Sequence, residues 1–430
     1  MSERGGPVEQ ATPRDSAGSD ISARLVLLLA VAAAGTVANL YYAQPLLPEM
    51  ARSLRVTAAQ VGWVPVLTQV GYALGLFLFV PLGDAVERRR LILLLVVASA
   101  VALVAAAVAQ GVVSLAVACL AVGFLTVTPH VAVPLAAHLA APSQRGRVLG
   151  LIMSGVLAGI LLARTFSGLI GGAFGWRAVY GVAAVGMLVL AVGLARLLPV
   201  APPERAVRYG SLLASMGPLV RDEAELRLPS FIGAMGFASF SVFWTTLAFF
   251  LETPPYHWGA EGAGLFGLIG LSGAFAAPLV GRLADRRGAR FATGLALFLA
   301  LGSWGVLVLL GRNLVGLIVG IVLLDVGIQS AHVANLARVH ALDPAARSRR
   351  NTVYMVSYFV GGALGTWIGV RAWTRFGWAG TCAAGAGFIL LGLVGWARRG
   401  KPGRQAQIVG RAPPGSPGQG KRRDSLAAGT

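Results

Sequence analysis

Charge is scarce in this chain. Charged residues make up 12% of its 430 positions, and 56% are hydrophobic. Ordinary globular domains carry about 25% charged residues. With a mean hydropathy of +0.73, the deficit makes lipid the solvent around most of the chain. A soluble protein with an unusually apolar core does not fit, because apolar runs of about 20 residues, the length of a spanning helix, recur along the whole sequence. Strand alternation is missing too, and the runs are too long for barrel strands. Cysteine is nearly absent. Cys119 and Cys382 both lie in apolar runs and match no metal spacing, so no metal site is expected. Neither a nucleophile–base pair nor a glycine-rich phosphate loop occurs. The chain is therefore not expected to be an enzyme, to bind a cofactor or to draw on ATP. Any transport must run on a gradient. Residues 1–20 are polar and contain no basic stretch leading into an apolar core and cleavage site, so no cleaved signal peptide is expected.

The charge that is present has a pattern. The net charge is +19, concentrated in short segments between apolar runs and in the C-terminal tail. Basic residues that flank spans reflect topology and contact with membrane lipid, not nucleic acid. The runs give twelve spans: 23–47, 58–82, 89–110, 113–139, 147–173, 177–198, 228–251, 262–283, 290–311, 314–340, 351–374 and 379–396. The arginine-rich segments 87–90, 143–147, 282–290 and 347–350 fall on one side, and "ETPPYHWGAEG" (252–262) on the other has no arginine. The positive-inside rule makes the arginine-rich side cytoplasmic, with both termini there. The expected organisation is a disordered tail 1–22, a six-helix half 23–198, a cytoplasmic linker 199–227, a second half 228–397 and a disordered basic tail 398–430.

The halves repeat. Sliding "PHVAVPLAAHLAAPSQRGR" (129–147) by 202 positions places His130 on His332, His138 on His340, Pro142 on Pro344, Arg145 on Arg347 and Arg147 on Arg349. Gly159 then falls on Gly361, and "FGW" 174–176 on "FGW" 376–378. Copies six spans apart share one orientation, so the repeat is parallel. Such halves bind substrate between them near mid-membrane and rock to alternate access.

At this point the chain resembles the major facilitator superfamily over all twelve spans. "GRLADRRGAR" (281–290) matches that family's loop signature, and "VPLGDAVERRR" (80–90) is a degraded copy that keeps Asp84 and Arg88. The resemblance implies an all-α membrane fold of two parallel six-helix repeats. It also implies a conformational latch built from Asp84, Arg88, Gly281, Asp285, Arg286 and Arg290. A purely topological role for the arginines is the alternative. Gly150 and Gly159 fit the start of the helix-5 motif of the drug:proton antiporter branch, whose later Gly-Pro is Ala163-Arg164 here. That branch's helix-4 arginine is replaced by Cys119.

Polar residues inside the spans are the candidate pathway. On span 10, Asp325, Gln329 and His332 lie at i, i+4 and i+7 with Asn335 at the margin, a stripe that lipid will not accept. The others are Asn39 and Tyr42, Gln69 and Tyr72, His130, Asn351 and Tyr354, and Trp244 on the aromatic stripe Phe237, Phe240, Trp244, Leu247. Each also reads as interhelical glue or packing. Arg164 stands alone in an apolar run, where a charge is costly. At 1.5 Å per residue, Arg164 and Asp325 both lie roughly 15 Å deep in a ~30 Å core. An Arg164–Asp325 interaction, direct or through water, is the expectation. Arg164 binding a substrate anion, or hydrogen-bonding backbone carbonyls, are the alternatives. The sequence thus predicts a monomeric, proton-coupled exporter of a small organic molecule in the bacterial inner membrane, with protons, substrate and lipid as partners. Uptake by symport or uniport and a non-transporting ligand sensor are the alternatives.

Overall fold

A computed structural model describes residues 21–200, 209–270, 282, 286–342 and 346–398, and no strand occurs among them. The spans are α1 (Ala23–Ala38), α2 (Ala58–Ala85), α3 (Arg88–Ala107), α4 (Val112–Leu139), α5 (Arg145–Phe174), α6 (Trp176–Leu197), α7 (Ala224–Leu251), α8 (Ala260–Ile269), α9 (Ala289–Leu310) and α10 (Leu314–His340), followed by the helical segment Arg347–Ala397. That last segment is two helices, α11 (347–376) and α12 (378–397), merged across Gly377 at φ 58°. Among the described residues, nine helices are long and apolar enough to cross a membrane, Arg347–Ala397 counted as one. With its split, and with the shorter apolar α1 and α8, the span count is twelve.

Two boundaries differ from expectation. The first run was expected to be helical to residue 47, but α1 stops at Ala38. Residues 39–43 form turns, followed by a 3-10 turn Gln44–Leu46 and a separate helix Leu47–Leu54. Pro45 and Pro48 explain the break, because each removes an N–H donor and its ring clashes with the carbonyl four residues earlier. The second half was expected to open at 228, but α7 begins at Ala224 and carries Pro229 within its early turns. The segment before it holds two short helices, Tyr209–Ala214 and Met216–Asp222.

The repeat is visible in the backbone. Gly175 (φ 81°) and Gly377 (φ 58°) end α5 and α11 at matching positions, both in the left-handed region that glycine alone enters without strain. At Gly159 a side chain would strike the Ala34 carbonyl of α1, and at Gly361 the Ala234 carbonyl of α7. The same capping hydrogen bond also recurs. Arg89 Nη2 donates to the Ala195 carbonyl at 2.7 Å, and Arg290 Nη2 to the Trp396 carbonyl at 3.0 Å. Donor and acceptor are both displaced by 201 positions, one short of the 202-residue offset, and each arginine satisfies a last-turn carbonyl of its half's sixth helix.

Packing follows from which faces are apolar. Valines and leucines such as Leu94, Val101, Val185, Val189, Leu309 and Leu391 leave α3, α6, α9 and α12 with exposed apolar faces suited to lipid. A membrane-length window of α7 is buried throughout. The halves meet where α2 packs on α11 and α5 on α8. Substituting Gly361→Ala should lower stability by about 1–3 kcal/mol, the usual cost of overpacking. Gly387→Ala, which meets nothing within 4 Å, should be neutral or stabilising. Thermal unfolding of the two variants in detergent checks the difference.

Candidate functional site

The site is organised around one buried cation. The Arg164 side chain, on α5, is 1% exposed. Its guanidinium lies over the Trp244 ring at 4.1 Å, Tyr41 at 4.8 Å and Phe240 at 5.7 Å. Aromatic faces are negative, so the rings replace part of the lost hydration. Arg164 Nε donates to Gln44 Oε1 at 2.7 Å, and Nη1 reaches the Ile160 carbonyl at 3.4 Å. Nη2 is buried with no hydrogen-bond partner among the described residues. It borders a void of about 10 Å³ lined by Gln44, Pro45, Trp244, Leu247, Ala248 and Ala263, room for about one water.

Asp325, on α10, is 3% exposed. Its Oδ1 accepts from Trp244 Nε1 at 3.2 Å, and Oδ2 lies against Gly270 beyond the end of α8. Among the described residues no ion pair joins Arg164 to Asp325. Trp244 stands between them. Its ring face meets the cation and its N–H meets the carboxylate. The two charges come from opposite halves and are bridged by a neutral group from α7.

The other candidates divide. Gln69 Nε2 donates to Thr366 Oγ1 at 2.9 Å, tying α2 to α11 at mid-height. The Tyr72 ring lies 4.4 Å from Phe359 and 6.0 Å from His130. Phe237 stacks on Tyr358 at 4.1 Å, and Tyr358 meets the His332 ring at 4.6 Å. His332 Nδ1 and the Tyr354 hydroxyl share a hydrogen bond of 3.0 Å. These groups form one aromatic seam between the halves. Gln329 is half-buried on the same helix face. Asn39, by contrast, lies within the first half, bonded to Thr126 Oγ1 at 3.4 Å. Tyr42 packs on Phe166 at 5.8 Å. Asn335 is fully buried with no hydrogen-bond partner among the described residues, and Asn351 bonds His340 near the helix end.

Both ends of the seam carry ties. At the basic-loop end, Asp84 Oδ2 accepts from Ser348 Oγ at 3.3 Å across the halves, and Asp84 Oδ1 lies 3.6 Å from Arg88. Arg290 bonds within its own half, as above, and Arg286 is exposed. Gly281 and Asp285 lie outside the described residues. At the opposite end, Arg52 Nη1 contacts both oxygens of Glu252 at 2.7 Å, again across the halves. Glu49 Oε1 accepts the Trp176 N–H at 3.0 Å, at the start of α6.

Residues 27–341 match the Major Facilitator Superfamily model. The chain belongs to the major facilitator superfamily. It is a multi-pass membrane transporter of that type, which takes small-molecule substrates and is not an enzyme. It is 40% identical over 379 residues to the uncharacterized transporter YgaY of Escherichia coli (strain K12), covering 88% of this chain and 96% of that one. It is also 30% identical over 306 residues to the chloramphenicol resistance protein of Streptomyces lividans, covering 68% and 74%. Among solved structures it is similar in fold to the nucleoside transporter NupG, with a TM-score of 0.72 at 13% identity, covering 86% of this chain and 98% of that one.

Sequence reasoning missed Gln44 and Tyr41. Their signal was Pro45, which ends α1 early and turns Gln44 toward Arg164. Trp244→Phe keeps a ring for Arg164 but removes the N–H from Asp325. It should cost about 1–3 kcal/mol, the penalty of an unpaired buried acceptor. Trp244→Leu should cost more, since both contacts go. Denaturant unfolding of the purified variants measures the order.

Proposed function

We propose that this superfamily member exports a small organic molecule across the bacterial inner membrane by proton-coupled alternating access. One observation carries the reading: Arg164 and Asp325, from opposite halves, meet the two sides of Trp244 in the buried seam. A group that titrates there is felt by both halves at once. Asp325 is the proton carrier in this reading. Its protonation, or the arrival of substrate, removes one side of the bridge and frees the halves to rock. Export is further supported by the likeness to the chloramphenicol resistance protein. The arginine-rich end is assigned to the cytoplasm by its charge.

Asp325→Asn should abolish gradient-driven transport in vesicles while leaving solute exchange measurable. Removing one partner of a buried pair typically costs ~3–5 kcal/mol, so Arg164→Gln and Asp325→Asn should each be severe. Their double variant should be no worse than either. Additive losses of stability and transport would reject the coupling. The sign of the pH dependence under an imposed gradient tells export from uptake.

The basic-loop tie belongs to the same cycle. Asp84→Asn should loosen that end and increase labelling of a cysteine placed near its mouth. Unchanged labelling would leave Asp84 with no latch role.

A further inference from the structure

A cavity of about 980 Å³ lies at the end away from the basic loops, between the last turns of α5 and the first turns of α8 and α10. Gly171, Gly172 and Gly175 leave the α5 wall bare of side chains, and at Gly172 a side chain would strike Glu261. Leu265, Ile269, Leu314 and Ile318 make an apolar wall. Trp258 and Phe266 add an aromatic pair with ring centroids 5.9 Å apart. The contact of Gly168 with Gly264, and of Gly264 with the Arg164 carbonyl, closes the floor. None of Arg164, Trp244 and Asp325 lines it.

Its charge is unbalanced. Glu49 and Glu261 both line it. Glu49 spends Oε1 on the Trp176 N–H, and Oε2 is shut off from solvent with no hydrogen-bond partner among the described residues. Burial holds the Glu49 carboxyl above its ordinary range, against the pull of the Trp176 N–H and Arg52. Glu261 is in no hydrogen bond or ion pair among the described residues. Arg52, the cation on the lining, is already held at 2.7 Å by Glu252. His257 completes the polar rim. Among the described residues no three metal-ligating side chains converge, so a compact metal ion is a poor match. The volume is that of a drug-sized ligand site.

We propose that this vestibule binds an organic cation with an apolar or aromatic body. The cationic group sits against the exposed Glu261 carboxylate, in the field of Glu49, and the body lies on Trp258, Phe266 and the α8–α10 wall. Carboxylates and ring faces both favour a cation stripped of part of its water. The site goes beyond the proposed export cycle, because its occupancy depends neither on proton coupling nor on the direction of transport.

The probe is tetraphenylphosphonium, measured by equilibrium dialysis against the purified full chain in detergent, with tetraphenylborate as the anion of matching shape. Saturable binding of the cation, stronger than that of the anion, is expected. Glu49→Gln keeps an acceptor for the Trp176 N–H, and Glu261→Gln changes an exposed first-turn residue. Together they should weaken cation binding about tenfold, from the loss of two modest charge contacts. Gly387→Ala, whose added methyl meets nothing within 4 Å, should leave it within about twofold. Absence of saturable binding, equal affinity for the anion, or full affinity in the double variant would each overturn the site. If Glu49→Gln fails to fold, Glu261→Gln alone must still weaken the cation and spare the anion.

Discussion

A guanidinium in the middle of a membrane protein must be rehydrated by the protein itself. Around Arg164 that requirement organises much of what surrounds it. An amide has to reach Nε, so the first helix ends early and lets Gln44 turn inward. Flat aromatic faces have to take the place of water, so Trp244, Tyr41 and Phe240 converge on the cation. The neighbouring backbone has to come close, so glycines stand where α8 crosses α5. Asp325 supplies an opposite charge, but one indole away. The pair therefore attracts without the fixed geometry of a contact ion pair.

That separation suits a molecule that changes shape. A direct buried salt bridge is strongly destabilising to break from one side. An arrangement in which a neutral ring takes the cation on its face and the anion on its edge divides the same attraction into two weaker contacts. The rest of the seam is similar in kind. It consists of aromatic stacking, a Gln69–Thr366 hydrogen bond and a few polar ties at the two ends. These are many modest contacts, none of which alone holds the halves together.

The sequence shows the fold more plainly than the site. Long apolar runs, the 202-residue offset and the paired "FGW" turns are one-dimensional signals, and the helices follow them. Arg164 and Asp325 were also legible, because charge at membrane depth is rare enough to stand out. Trp244 as their bridge was not, since a tryptophan in an aromatic stripe looks the same whether it packs or connects. Gln44 and Tyr41 were hidden by treating the first run as unbroken, although Pro45 marked the end. Arg290 was read as a latch residue from its loop. In the structure it donates to the Trp396 carbonyl near the end of α12, and Arg89 makes the equivalent bond to the Ala195 carbonyl.

The glycine corners after α5 and α11 have a mechanical meaning. Gly175 and Gly377 join a seam helix to a lipid-facing helix with no slack between them. α6 and α12 cannot stay still while α5 and α11 tilt. Any rocking of the halves then drags apolar surface through the acyl chains. A bilayer whose thickness suits one tilt better than the other weights the two states by a fraction of a kcal/mol per Å of mismatch. Membrane thickness thereby becomes one of the forces that sets the resting state of the transporter.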